Sequence, residues 1–139
     1  MSVLFLCRGN SARSQMAEAW AKHLSNGRFV FASAGTFPSR EVHPLAVKVM
    51  AEVGIDISAA SPKNFTAVPK PIHAIIAVCG QSEAECPTWP GLEVEAWDID
   101  DPAEATGSEE AQLLVFRATR DHLKKRVEGY LARHEGDKA

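Results

Sequence analysis

The 139-residue chain predicts a single α/β domain, spanning residues 1–139, built on a doubly wound, mostly parallel sheet of four strands with flanking helices. Three observations carry that expectation. Short apolar runs alternate with segments of helical period, the connections between them are short and marked by Gly and Pro, and no repeat, linker or low-complexity tract interrupts the series. The length suffices for one well-packed core.

Val3 to Leu6 is an apolar run that reads as a buried first strand and ends in a Gly-containing turn. Ala17, Trp20, Ala21 and Leu24 then fall on one face of a helix from about Ser14 to Ser25, which Asn26-Gly27 ends. Phe29 to Ser33 reads as the second strand, closed by Gly35 and Pro38. Pro44 opens a second helix carrying Leu45, Val49, Met50 and Val53, with Gly54 as its stop. Residues 58–71 are mixed and bear prolines, which suits a loop with one helical turn. His73 to Val78 is a continuous apolar strand, as expected of a parallel strand buried on both faces. Leu92 to Trp97 follows the Pro90-Gly91 turn as a shorter fourth strand. From Ser108 to about Arg133, Phe116, Leu123, Val127 and Leu131 mark one stripe of a long helix.

Composition narrows the function classes. A formal charge of −3 supplies no basic footprint, so nucleic acid and anionic membrane surfaces are not expected partners. No apolar run approaches the roughly 20 residues of a membrane-spanning helix. The start of the chain shows neither a basic n-region nor a small-residue cleavage site, so a cytoplasmic location is expected. Three cysteines are an odd set, which argues against a secreted disulfide scaffold and for thiols whose disulfides are transient. His23, His43, His73, His122 and His134 are scattered without paired ligand spacing, so no metal centre is expected.

The chemistry concentrates at Cys7-Arg8-Gly9-Asn10-Ser11-Ala12-Arg13-Ser14, between the first strand and the first helix. Cys and Arg separated by five residues are a weak pattern alone. At the carboxyl end of a strand, where open α/β sheets bind ligands, the pattern gains force. Free N–H groups of the loop and the positive end of the helix dipole make an anion site, and the same field favours a thiolate at Cys7. Gly9 frees the backbone, and Arg13 can grip two oxygens of an oxyanion at once. Ser14 can donate to the sulfur, while Asn10 and Ser11 hold the loop's shape. Downstream, Cys79 and Cys86 enclose the small, polar stretch Gly80-Gln81-Ser82-Glu83-Ala84-Glu85. Asp101, before Pro102, is a candidate general acid, although an Asx-type turn or helix cap explains an Asp there equally simply.

Val3 to Glu18 resembles the signature loop of the low-molecular-weight tyrosine phosphatase fold, and within it the thioredoxin-coupled arsenate reductases. The likeness continues at Ser33-Ala34-Gly35, Cys79, Cys86, Trp97 and Asp101-Pro102-Ala103, covering nearly the whole chain. It implies that Cys7 attacks arsenate within the cradle of residues 8–14, that Asp101 protonates the departing oxygen, and that Cys79 and then Cys86 carry the resulting disulfide away. Arsenite is released, as in arsenic detoxification, and thioredoxin, glutaredoxin or another thiol donor restores the dithiol. Phosphate and sulfate would compete with arsenate, and the chain would act as a monomer with no tightly bound cofactor.

The chain departs from that pattern in two places. Ala12 stands where many relatives have a second loop cysteine. Some family members also carry potassium beside the loop, and Asn10, Glu18 and Ser33 match three of its ligands. Lys63 or a neighbour aligns with the fourth, where an ammonium would pair with Glu18, so bound potassium is not expected. Two other readings compete: a tyrosine phosphatase using Cys7, Arg13 and Asp101, and an oxyanion-binding module without turnover. Ala103-Glu104-Ala105 lacks the aromatic residues that would sandwich a phenol ring, which favours a small inorganic anion. Arg117, Arg120, Lys124, Lys125 and Arg126 read as a solvated face of the last helix.

Overall fold

Strand β1 (Ser2–Cys7) lies at the centre of the fold. In the computed structural model, which describes residues 2–25, 29–68, 71–79, 91–92 and 94–134 with only the backbone of Phe65 and Cys79, it pairs with parallel strands on both sides. Helix α1 (Arg13–Leu24) follows, then β2 (Val30–Gly35), α2 (Pro44–Glu52), β3 (Ala74–Cys79), β4 (Val94–Asp98) and α3 (Glu109–Arg133). Short 3-10 turns at Phe65–Ala67 and Pro102–Glu104 interrupt the loops.

The strand order is β2-β1-β3-β4, all parallel. The chain therefore steps from β1 outward to β2, then returns across β1 to start β3 and moves the other way. A crevice opens beyond the carboxyl ends of the strands where the winding reverses, between β1 and β3. Cys7 and Cys79 are the last residues of those two strands.

Burial explains the apolar runs. Val3, Phe5, Phe31, Ile76, Val78 and Trp97 face a cluster to which α1, α2 and α3 contribute Met16, Trp20, Val49, Met50, Phe116 and Leu123. Leu4, Leu6, Ala34 and Ile75 face the opposite way, under Val68 and Ile72. Both faces of β1 and β3 are dry, so neither strand shows polar alternation. Each large side chain buried there contributes about 1.5–3 kcal/mol relative to exposure.

The element boundaries deviate from expectation by one or two residues, and β2 runs two residues further, to Gly35. Its extension has a cause: Gly35 pairs with Cys7 in the ladder, and its N–H donates to the Lys63 carbonyl at 2.9 Å. Val53, assigned by period to the apolar face of α2, is instead exposed after the helix ends, and Gly54 takes φ 82°. The turn at Asn26-Gly27 and Trp89 lie outside the described residues.

Of the α3 cations, Lys124, Lys125 and Arg126 are exposed as expected, whereas Arg117 and Arg120 are half-buried and are not a free solvated face. Arg117 and Arg120 both hold the Glu52 carboxylate, at 2.7 and 2.9 Å, and Arg120 also donates to the Val49 carbonyl at 2.9 Å. Lys124 lies over the Trp20 ring and Arg126 over that of Trp97. Their aliphatic stems cover apolar surface while the charged heads meet partners, which period alone cannot reveal.

Candidate active site

Residues Arg8 to Ala12 carry the chain from the end of β1 into α1 through a compact turn. Asn10 stands at its centre, fully buried, with φ 50°. A non-glycine residue in that left-handed region needs compensation, and asparagine is among the residue types best able to take it. Its compensation is three side-chain hydrogen bonds. The Lys63 main-chain N–H donates to Asn10 Oδ1 at 3.0 Å, as does Gln15 Nε2 at 3.0 Å. A main-chain N–H can only donate, so the atom facing it is the oxygen. Asn10 Nδ2 is thereby directed at Ser14 Oγ, 2.8 Å away.

That assignment fixes a proton. Ser14 Oγ accepts from Asn10, which leaves its own hydroxyl hydrogen for Cys7 Sγ at 2.9 Å. The Asn10 N–H points at the same sulfur from 3.2 Å. Two hydrogen-bonding groups thus converge on one buried sulfur at the start of α1.

The loop is pinned from outside by a second chain segment. Phe37 N–H donates to the Arg8 carbonyl at 2.8 Å, Ser39 N–H to Gly9 at 2.9 Å, and His43 N–H to Ser11 at 2.9 Å. With Thr36 N–H on the Cys7 carbonyl, four successive backbone hydrogen bonds run alongside the loop. This clasp runs in the same direction as the parallel β1–β2 pairing it continues, and it engages the loop's carbonyls while leaving its N–H groups for an anion. A Cβ at Gly9 would meet Ser39 Oγ at 2.7 Å, the end of an exposed side chain that can rotate aside.

Arg13 is 3% exposed, with Nη1 donating to the Ile99 carbonyl at 3.0 Å and Nη2 3.7 Å from Asp101 Oδ2. Asp101 Oδ1 accepts from the Ala103 N–H at 3.0 Å and caps the short turn that begins at Pro102. The cap and the candidate acid are thus one residue with two oxygens. Oδ1 fixes the rotamer, and Oδ2 is turned toward the loop's guanidinium.

Of the sequence-predicted residues, Cys7, Asn10, Arg13, Ser14 and Asp101 meet in one place. Cys79 is described by its backbone alone. It ends β3 opposite Asp98 of β4, in a strand whose Ala77 partners Leu6 of β1. Cys86 and the stretch from Gly80 to Glu85 lie outside the described residues.

Three features were missed by sequence reasoning. Gln15 Nε2 spans Asn10 Oδ1 and the Ser61 carbonyl, locking the loop to residues 61–63. His43 caps α2 by accepting the Leu45 N–H on Nδ1 at 3.1 Å, a role suggested only by its place before Pro44. Phe37 is 72% exposed beside the loop, with the Arg8 guanidinium 5.6 Å above its ring. The rim is therefore not free of aromatic residues, as the segment after Asp101-Pro102 had suggested. Its aromatic member comes from the loop after β2.

The residues beside the loop do not fit a potassium ion. Glu18 takes the Ser33 hydroxyl and the Lys22 ammonium, and Lys63 Nζ stands 3.8 Å from its Oε1. Asn10 Oδ1 already receives two N–H donors. A cation there would meet positive charge and spent acceptors.

Comparison with known proteins agrees with this geometry. The model of the low molecular weight phosphotyrosine protein phosphatase family matches residues 2–139. An arsenate reductase of Bacillus licheniformis is 41% identical over 134 residues, covering 93% of this chain and 94% of that protein. A glutaredoxin arsenate reductase of Synechocystis is 40% identical over 135 residues, covering 94% and 96%. A solved arsenate reductase in its phosphate-binding state superposes with a TM-score of 0.79 at 37% identity, covering 95% of this chain and 97% of its own.

Proposed function

The chain belongs to the low molecular weight phosphotyrosine protein phosphatase family, and on that premise we propose that it is an arsenate reductase working through Cys7, Cys79 and Cys86. The observation that carries the reading is the pairing of a loop at the end of β1, in which Asn10 and Ser14 meet the Cys7 sulfur, with a second cysteine at the end of the neighbouring strand β3. A phosphatase has no use for that second thiol. Curated relatives that match over more than nine-tenths of their length carry the name arsenate reductase.

The steps follow from the site's chemistry. Arsenate settles on the loop N–H groups and Arg13, and the Cys7 thiolate attacks arsenic. Asp101 supplies a proton to one arsenic-bound oxygen, which leaves as water, and a Cys7–arsenic bond forms. The Cys79 thiolate then attacks Cys7 Sγ. The sulfur–arsenic bond breaks with its electron pair going to arsenic, which departs as arsenite, and a Cys7–Cys79 disulfide remains. Cys86 attacks Cys79, freeing Cys7 as a thiolate. An external dithiol protein of the thioredoxin or glutaredoxin class reduces the Cys79–Cys86 bond.

Arsenate turnover with purified thioredoxin and glutaredoxin systems tests the proposal. Cys7→Ser, Cys79→Ser and Cys86→Ser should each abolish multiple turnover, and the oxidised Cys86→Ser protein should hold a Cys7–Cys79 bond. Full arsenate turnover by Cys79→Ser would end the relay reading.

A second reading has one observation in its favour. Phe37 offers an exposed ring next to the anion loop, where an aryl phosphate could rest. Phosphatase activity on p-nitrophenyl phosphate should then survive Cys79→Ser and Cys86→Ser but rise in KM on Phe37→Ala.

A further inference from the structure

We propose that Lys63 is a positioning residue for Cys7, its main chain holding Asn10 of the anion loop while its ammonium serves as a built-in cation on Glu18. The proposal rests on Cys7 being the attacking sulfur, and not on which oxyanion or which reductant is used.

Lys63 meets the site at three points. Its carbonyl accepts the Gly35 N–H at 2.9 Å, its N–H donates to Asn10 Oδ1 at 3.0 Å, and its Nζ lies 3.8 Å from Glu18 Oε1. The neighbouring Asn64 forms a lone parallel bridge to Gly35. Residues 61–64 contain no helix and no strand longer than that bridge. The bonds made by Lys63 and Gln15 are what hold this segment against the loop.

The consequence passes through other residues to the sulfur. The Lys63 N–H orients the Asn10 carboxamide, Asn10 Nδ2 occupies the acceptor side of Ser14, and Ser14 turns its hydrogen toward Cys7. The ammonium acts a second way, by charge. The Glu18 side chain is only 14% exposed, and its other cationic partner, Lys22, is 58% exposed. Without Lys63, a half-compensated carboxylate would stand beside a loop built to hold negative charge, opposing both the thiolate and a bound oxyanion. A chain carrying its own ammonium at this place needs no dissolved cation to balance Glu18.

The test follows the alkylation of Cys7 by iodoacetamide at pH 6.5, read by peptide mass mapping, in potassium, sodium and choline chloride at equal ionic strength. The natural chain should react at the same rate in all three salts. Lys63→Ser should react about three- to tenfold more slowly in choline, the scale expected when one cation beside a partly buried carboxylate is removed. Potassium should restore its rate, because the shorter side chain leaves room for an ion on Glu18 and Ser33. Should Lys63→Ser melt too low to assay, Lys63→Ala carries the same comparison with a side chain that also leaves room for an ion. A potassium-dependent rate in the natural chain overturns the proposal. So does a Lys63 variant that reacts like the natural chain in choline, or one slowed in every salt. Failure of arsenate turnover leaves these outcomes intact, whereas a natural chain in which Cys7 reacts no faster than free glutathione defeats the reading of Cys7 as nucleophile instead.

Discussion

The main-chain N–H of His43 donates to the Ser11 carbonyl at 2.9 Å, tying the first residue before α2 to the anion loop. The same residue closes the helix, since Nδ1 accepts the Leu45 N–H, and its ring packs 4.7 Å from that of Phe116. The tautomer is therefore set with the proton on Nε2. Protonating Nδ1 would destroy the cap.

A pH dependence follows. Burial holds His43 below the ordinary imidazole value of 6.5, against smaller opposing pulls from Asp101 and Glu41. As pH falls through 6.5, the unfolded chain takes up a proton that the folded chain refuses, so folding stability drops. His43→Asn keeps an acceptor at the cap without titrating. Thermal melts between pH 7.5 and 5.5 should show a smaller loss of Tm for His43→Asn than for the natural chain. Equal losses would mean that His43 does not titrate as described.

Gly35 is fixed by close approach and not by an unusual φ. A Cβ at this position would lie 2.5 Å from the Arg8 carbonyl oxygen and 2.9 Å from the Asn10 nitrogen, both backbone atoms that cannot swing aside. Gly35→Ala should cost about 1–3 kcal/mol of stability, as overpacking does. The loop must also shift, so turnover should fall about tenfold to a hundredfold even at temperatures where the variant is folded. Urea melts and steady-state kinetics on one preparation separate the two effects.

Glu52 joins α2 to α3. The hydrogen bond from Arg117 is the largest influence on its carboxyl, which is held down to about 2 from an ordinary 4.5. Desolvation opposes it, and the charge of Arg117 and the contacts of Arg120 add to the lowering. A carboxylate depressed in the folded state stabilises above its unfolded value and loses that contribution as pH falls from 4.5 toward 2. The natural chain should exceed Glu52→Gln in urea midpoint at pH 6, with the difference narrowing at pH 3. A constant difference would show that packing, and not charge, is what Glu52 supplies.

Much of the site was legible because its chemistry is local. Cys7, Asn10, Arg13 and Ser14 fall within one strand-to-helix turn, and the apolar runs on either side announce that turn. Asp101 was found from its position before Pro102, although the sequence left cap and acid as alternatives. The structure shows that one carboxyl does the capping with Oδ1 and faces Arg13 with Oδ2. Gln15 and Phe37 were not legible, because nothing in their own neighbourhoods marks them. Their significance lies in interactions across 46 residues to Ser61 and across 29 to Arg8.

The sequence by itself determined the alternation of strands and helices, the parallel sheet and the anion loop, because hydrophobic period, Gly and Pro act over a few neighbouring residues. Only the tertiary structure decided which donors reach the sulfur, that residues 61–63 clamp Asn10, and that Arg117 and Arg120 answer Glu52. Those interactions join segments far apart in the chain, and a hydrogen bond or an ion pair depends on distances that only packing sets.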